Sequence, residues 1–155
     1  MKQLTRKTNN KITFIGGGNM ASSLIGGLIA DGYDSRLITV SDPDTDKLAQ
    51  LAARFEVETA TDNSQAVEQA DVVVLAVKPQ ALEGVARDMA DSLSRSLPLV
   101  ISIAAGVQVK ALRDWLGGQV ALVRSMPNTP ALIQSGATGL YAGPGVSDEQ
   151  RDTAE

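Results

Sequence analysis

Lys11-Ile-Thr-Phe-Ile-Gly-Gly-Gly-Asn-Met-Ala21 is the stretch whose reading decides the fold. Its first five residues are mostly apolar and end at Gly16, the pattern of a buried strand feeding a turn. The segment from Asn19 to Ala30 is rich in Ala, Leu, Ile and Met and reads as a helix ending near Gly32. Between strand and helix, Gly16-Gly17-Gly18-Asn19-Met20-Ala21 matches the pattern G-x-G-x-x-A. Gly16 permits the tight turn, Gly18 lets a pyrophosphate come close to the backbone, and Ala21 lets helix and strand pack closely. A glycine-rich turn without a ligand is the competing reading. A strand before and a helix after are the context that dinucleotide binding requires.

Outward from this turn, strands and helices alternate. Leu37–Val40 reads as a second strand. Pro43 and Asp44 then open a helix with Leu48, Leu51, Ala52 and Phe55 on one face. Val57–Ala60 reads as a short third strand and Asn63–Gln69 as a short helix. Val72–Val77 is a continuous apolar run whose two faces must both be covered, as in the middle of a parallel sheet. Pro79 begins a helix where a missing N–H costs nothing. Leu99–Ile103, Val107–Leu116 and Val120–Val123 follow as strand, helix and strand. The expected fold is α/β: a Rossmann-type, doubly wound, mainly parallel sheet with helices on both faces.

Composition narrows the chemistry. At 155 residues the prior is one domain. A net charge of -4 without a dense Lys/Arg cluster argues against nucleic acid as a partner. The chain has no cysteine and no histidine, so disulfides, thiolate metal sites and histidine-based triads are excluded. No metal is expected. No apolar stretch is long enough to span a bilayer, and no membrane partner is expected. Residues 1–10 are polar and basic and read as a flexible arm, lacking the apolar segment of a secretory signal. The expected location is the cytoplasm. Ser147 and Gln150 form a capping-box pattern, so residues 147–155 read as the start of a further helix. Residues 11–146 would then be the NAD(P)-binding domain.

Ligands of such sheets bind beyond the carboxyl ends of the strands. Ser41 and Asp42 stand at the end of the second strand, Asp42 24 positions after Gly18. An acidic residue there binds the ribose hydroxyls of NAD and repels the 2′-phosphate of NADP. Equally, Asp42 could only begin the turn before Pro43. Ser41 could donate a hydrogen bond to a 2′-phosphate. Lys47 and Arg54 are nearby cations or part of a solvated helix face. Ala76-Val77-Lys78-Pro79 follows the central strand and sets Lys78 at the same edge, as cofactor contact or surface lysine. Ile103-Ala104-Ala105-Gly106 ends the next strand in small residues. These leave room for a flat nicotinamide–ribose, or simply pack helix on sheet. Arg124-Ser-Met-Pro-Asn-Thr-Pro130 reads as an irregular loop bracketed by prolines. Met126, Pro127 and Asn128 in it are a substrate boundary or a plain turn.

These segments together resemble pyrroline-5-carboxylate reductases. The resemblance rests on Ile15–Met20, Asp71–Pro79, Ser102–Val107, Arg124–Pro130 and Gly136–Gly139, and runs from about Lys11 to the end. The loop Met126–Pro130 is its most specific element. The resemblance implies reduction of 1-pyrroline-5-carboxylate to proline with hydride from NADPH or NADH. It implies that Ile15, Gly16, Gly17, Gly18, Asn19 and Met20 cradle the pyrophosphate. Ser41 and Asn63 would contact the adenosine end. Ala76, Val77, Lys78, Pro79, Ile103, Ala104 and Ala105 would line the ribose and nicotinamide. It also implies a helical C-terminal domain that forms a homo-oligomer and much of the substrate pocket, and the chain stops where that domain should start. NADP is favoured on these grounds, while Asp42 speaks for NAD. No catalytic acid is assigned. A non-catalytic NAD(P) sensor or docking module, or a related imine or 3-hydroxyacid reductase, would share the glycine turn.

Overall fold

Alternating strands and helices can bury both faces of one sheet only if each helix returns the chain to the same edge. The computed structural model has that arrangement, and describes residues 10–103, 107–118, 120–126 and 139–142. The strands are β1 (Ile12–Ile15), β2 (Ile38–Ser41), β3 (Glu58–Ala60), β4 (Val72–Leu75), β5 (Leu99–Ser102), β6 (Ala121–Met126) and β7 (Gly139–Ala142). The helices are α1 (Asn19–Ala30), α2 (Thr45–Phe55), α3 (Asn63–Val67), α4 (Pro79–Ser96) and α5 (Val109–Trp115). A 3-10 turn covers Ser35–Leu37.

The strand order is β3-β2-β1-β4-β5-β6-β7. Strands β1 to β6 run parallel. From β1 the chain winds outward through β2 and β3, then crosses back to β4 on the other side of β1. That reversal makes the carboxyl ends of β1 and β4 a topological switch point, where such sheets open a crevice. The register places Ile15 between Ser41 and Leu75, so the glycine turn leaves the sheet level with both neighbours.

Alternation along the strands feeds two cores. Val73 and Leu75 of β4 join Ile15, Leu82, Ala86, Met89, Leu93, Val100, Leu112 and Leu122. Val72 and Val74 turn the other way, toward Phe14, Ile25, Ile38, Val40, Leu48 and Leu51. All four residues of β4 are buried, as expected of a strand covered on both sides. Thr13 is the buried polar residue of β1, and its hydroxyl donates to the Ala66 carbonyl at 3.1 Å. Among the described residues, no helix is long and apolar enough to cross a membrane.

Two expectations need correction. The strand expected to end at Val123 continues to Met126, so Arg124, Ser125 and Met126 are extended sheet, not irregular loop. The cause is pairing with β7 along all three residues, joined at Arg124 by pairing with β5. Arg124 sits opposite Ser102 of β5, and β7 runs antiparallel along the other edge, with Met126 opposite Gly139. Strand β7 was not expected at all; Gly-Leu-Tyr-Ala is too short to show a period. Leu37, expected to start the second strand, belongs instead to the 3-10 turn, where Asp34 accepts the Arg36 N–H. Residues 1–9 of the expected arm over residues 1–10, and the capping box at Ser147, lie outside the described residues, while the Asn10 carbonyl accepts the Tyr33 hydroxyl. So do Ala104, Ala105, Pro127 and Asn128.

Candidate functional site

The three glycines of the turn have three different surroundings. Gly16 has φ +104°, a region that side chains disfavour, and a Cβ there would lie 2.9 Å from the Ala76 carbonyl oxygen. Its N–H donates to the Ser41 carbonyl at 2.8 Å. The Ala76 N–H in turn donates to the Ile15 carbonyl at 2.8 Å, so the turn is bound to both neighbouring strand ends. Gly17 is buried, and a Cβ on it would meet Leu51 Cδ1 at 3.1 Å and Val40 Cγ1 at 3.4 Å. Around the Cβ position of Gly18 there is open space, with no atom within 4 Å.

Gly18 is also the N-cap of α1, which has no side-chain cap and no acidic residue in its first turn. The N–H groups of Gly18, Asn19 and Met20 find no partner among the described residues. A helix of this length presents a partial positive charge at that end. Unpaired amides, a favourable dipole and free space make this a place for an anion.

At the end of β2, Ser41 is fully buried and its hydroxyl donates to Asn63 Oδ1 at 2.5 Å. This joins β2 to the first residue of α3. Asp42 is buried as well. Its Oδ1 accepts the Asp44 N–H and its Oδ2 accepts the Gly17 N–H, each at 2.8 Å. The turn-forming role that the sequence allowed for Asp42 is therefore present, with a second bond that local sequence does not signal. Lys47 and Arg54 are exposed, and the Arg54 guanidinium stands 4.8 Å over the Phe55 ring. They are a solvated helix face.

Across the crevice, Ala76 and Val77 are half-buried and Lys78 and Pro79 are exposed. Lys78 is the N-cap of α4, without a side-chain bond, and Pro79 follows in the first turn. Ile103 is half-buried, its N–H donating to Leu75 at 3.2 Å. Ile15–Met20, Ser41, Asp42, Asn63, Ala76–Pro79 and Ile103 thus gather at one carboxyl edge. The backbone of Met126 ends β6.

A parallel doubly wound sheet with an uncapped glycine turn at its switch point defines a Rossmann-type domain of the oxidoreductase kind. The chain belongs to the family described as NADP oxidoreductase, coenzyme F420-dependent, which matches residues 11–106. It is 48% identical to the pyrroline-5-carboxylate reductase of Pseudomonas aeruginosa over 93% of its own length and 52% of that protein. Among solved structures it is similar to the pyrroline-5-carboxylate reductase of Coxiella burnetii, with TM-score 0.91 and 46% identity, over 96% of this chain and 55% of that one. The Plasmodium falciparum pyrroline carboxylate reductase, solved with NADP bound, shares the fold at TM-score 0.80 and 24% identity, over 94% of this chain and 53% of that one. The chain spans about half the length of the curated relatives it matches.

Proposed function

We propose that this chain is the cofactor-binding part of an enzyme that reduces 1-pyrroline-5-carboxylate to proline with NADPH or NADH, NADPH being favoured. One observation carries the reading: the uncapped amides of Gly18, Asn19 and Met20 have no partner among the described residues, beside the open Cβ position of Gly18 at the switch point, in a chain 48% identical to such a reductase. The start of α1 holds the pyrophosphate, and Gly18 admits it because no Cβ intervenes. Asn63 meets the adenosine end, and the buried Ser41 acts there only through the bond its hydroxyl donates to Asn63. Ala76–Pro79 and Ile103–Ala105 flank the ribose and nicotinamide, while Met126–Asn128 bound the substrate. When bound, the reduced nicotinamide would supply a hydride to the carbon of the protonated imine, whose nitrogen would keep its proton in the amine product. A protonated imine is already electrophilic, so this chain's residues have mainly to orient and to exclude water. A small-molecule substrate, a cytoplasmic location and self-association of the whole protein through a helical domain belong to the same proposal.

A chimera tests it. These residues replace the matching segment of the P. aeruginosa reductase, and oxidation of NADPH is followed with 1-pyrroline-5-carboxylate and with 3-hydroxyacid or other imine substrates in the appropriate direction. Turnover of 1-pyrroline-5-carboxylate above all others is expected. A folded chimera that binds NADPH and turns over only another substrate would overturn the substrate assignment.

A further inference from the structure

Asp42 sits where an acidic residue commonly reads the adenosine ribose, yet both of its oxygens are occupied within the protein. Oδ2 takes the Gly17 N–H and Oδ1 takes the Asp44 N–H, both at 2.8 Å, and the side chain is buried. Its own N–H is bound to the Ala60 carbonyl at 3.1 Å, so the residue is held between β3, the glycine turn and the start of α2. A carboxylate suits this place because two N–H donors converge on it from different segments, and each needs an acceptor. Of the turn's amides, that of Gly16 is bound to Ser41 and that of Gly17 to Asp42, and those of Gly18, Asn19 and Met20 have no partner among the described residues.

We propose that Asp42 is a positioning residue of the glycine turn and is indifferent to the 2′-phosphate that separates NADPH from NADH. It holds the Gly17 N–H inward, and so selects which amides are offered to the pyrophosphate. This rests on the reading that the turn binds NAD(P)H. Asp42 then contributes equally to both cofactors, because both carry the same pyrophosphate. A residue that read the ribose hydroxyls would instead favour one over the other.

The test combines amide hydrogen exchange with calorimetry on the chain itself. In the wild type without cofactor, the Gly17 amide is expected to be protected, and an exchange rate equal to that of an exposed turn amide would overturn the proposal without any variant. Asp42→Asn keeps the shape but offers one acceptor for two donors. Its Gly17 or Asp44 amide should exchange roughly tenfold faster, with the amides of β4 unchanged, and NADPH and NADH should both bind about tenfold more weakly. The ratio of the two affinities should stay within about twofold. A ratio shifted roughly tenfold toward NADPH would make Asp42 a ribose reader. Unchanged affinity for both would make it a turn residue alone, since a lower melting temperature by itself does not weaken binding to the folded chain. Wild-type chain that binds neither nucleotide would overturn the cofactor reading and this inference with it, an outcome distinct from a shifted ratio.

Discussion

The helices after the outer strands and those after the central strands begin in opposite ways. Helix α2, after β2, is closed by Asp44, whose carboxylate accepts the N–H groups of Asp46 and Lys47. Helix α3, after β3, is closed by Asp62, which accepts the Gln65 N–H. Helices α1 and α4, which follow the adjacent strands β1 and β4, have no side-chain cap, and neither does α5 after β5. A good cap stabilises a helix by about 1 kcal/mol. That stabilisation is forgone after β1, β4 and β5, and retained on the β2–β3 flank. At α4 proline removes one unpaired N–H from the first turn. At α1 glycine leaves three of them available beside open space. The difference separates helix starts closed within the fold from the one proposed above to hold the pyrophosphate.

The largest effect expected on this contrast comes from Gly16. Alanine there must adopt φ +104° and place its Cβ 2.9 Å from a backbone oxygen that cannot step aside. Gly16→Ala should cost on the order of 3 kcal/mol, lowering the melting temperature by roughly 6–12 °C, and should weaken NADPH binding as well. Calorimetric melting together with a binding titration checks both. Gly18→Val separates the two roles. Its side chain enters empty space, so stability should change by less than about 0.5 kcal/mol while NADPH affinity falls at least about a hundredfold. Equal losses of stability and binding at Gly18 would erase the distinction between the two glycines.

A subtler variant gives α1 the cap it lacks. Gly18→Asn should stabilise the chain by a few tenths of a kcal/mol and weaken NADPH about tenfold, because the new side chain competes for the amides the pyrophosphate uses. Raised stability with unchanged affinity would mean that those amides bind nothing. The smallest effect on binding is expected on the flank. Asp44→Ala should cost about 1 kcal/mol, or roughly 2–4 °C of melting temperature, and leave NADPH affinity within about twofold. A large loss of binding there would extend the ligand site to α2.

Much of this contrast is legible along the chain. Pro79 announces the start of α4, and Asp44 and Asp62 stand directly before helical segments. The glycine pattern needs only its own spacing and the strand before it. Less legible are the places where one residue answers to two elements. Leu37 is apolar like the strand it precedes, and the local bond from Asp34 draws it into a tight turn instead. Arg124, Ser125 and Met126 look like loop because Pro127 and Pro130 follow. They remain extended because β7 pairs with all three, and β5 with Arg124 as well.

The amino-acid sequence by itself determined the alternation of strand and helix, the covered strand at Val72–Leu75 and the turn at Gly16–Gly18. Each of these follows from local periodicity or from the backbone freedom of a single residue type. Tertiary structure decided which oxygen meets which amide. Asp42 finds Gly17 across 25 positions, and Ser41 finds Asn63 across 22. It also decided that β7 would pair at all. Asp42 and Ser41 find these partners because the crossovers set β2 and β3 parallel to β1, with their ends at the same edge, and no pattern within a short window encodes a contact made by that return.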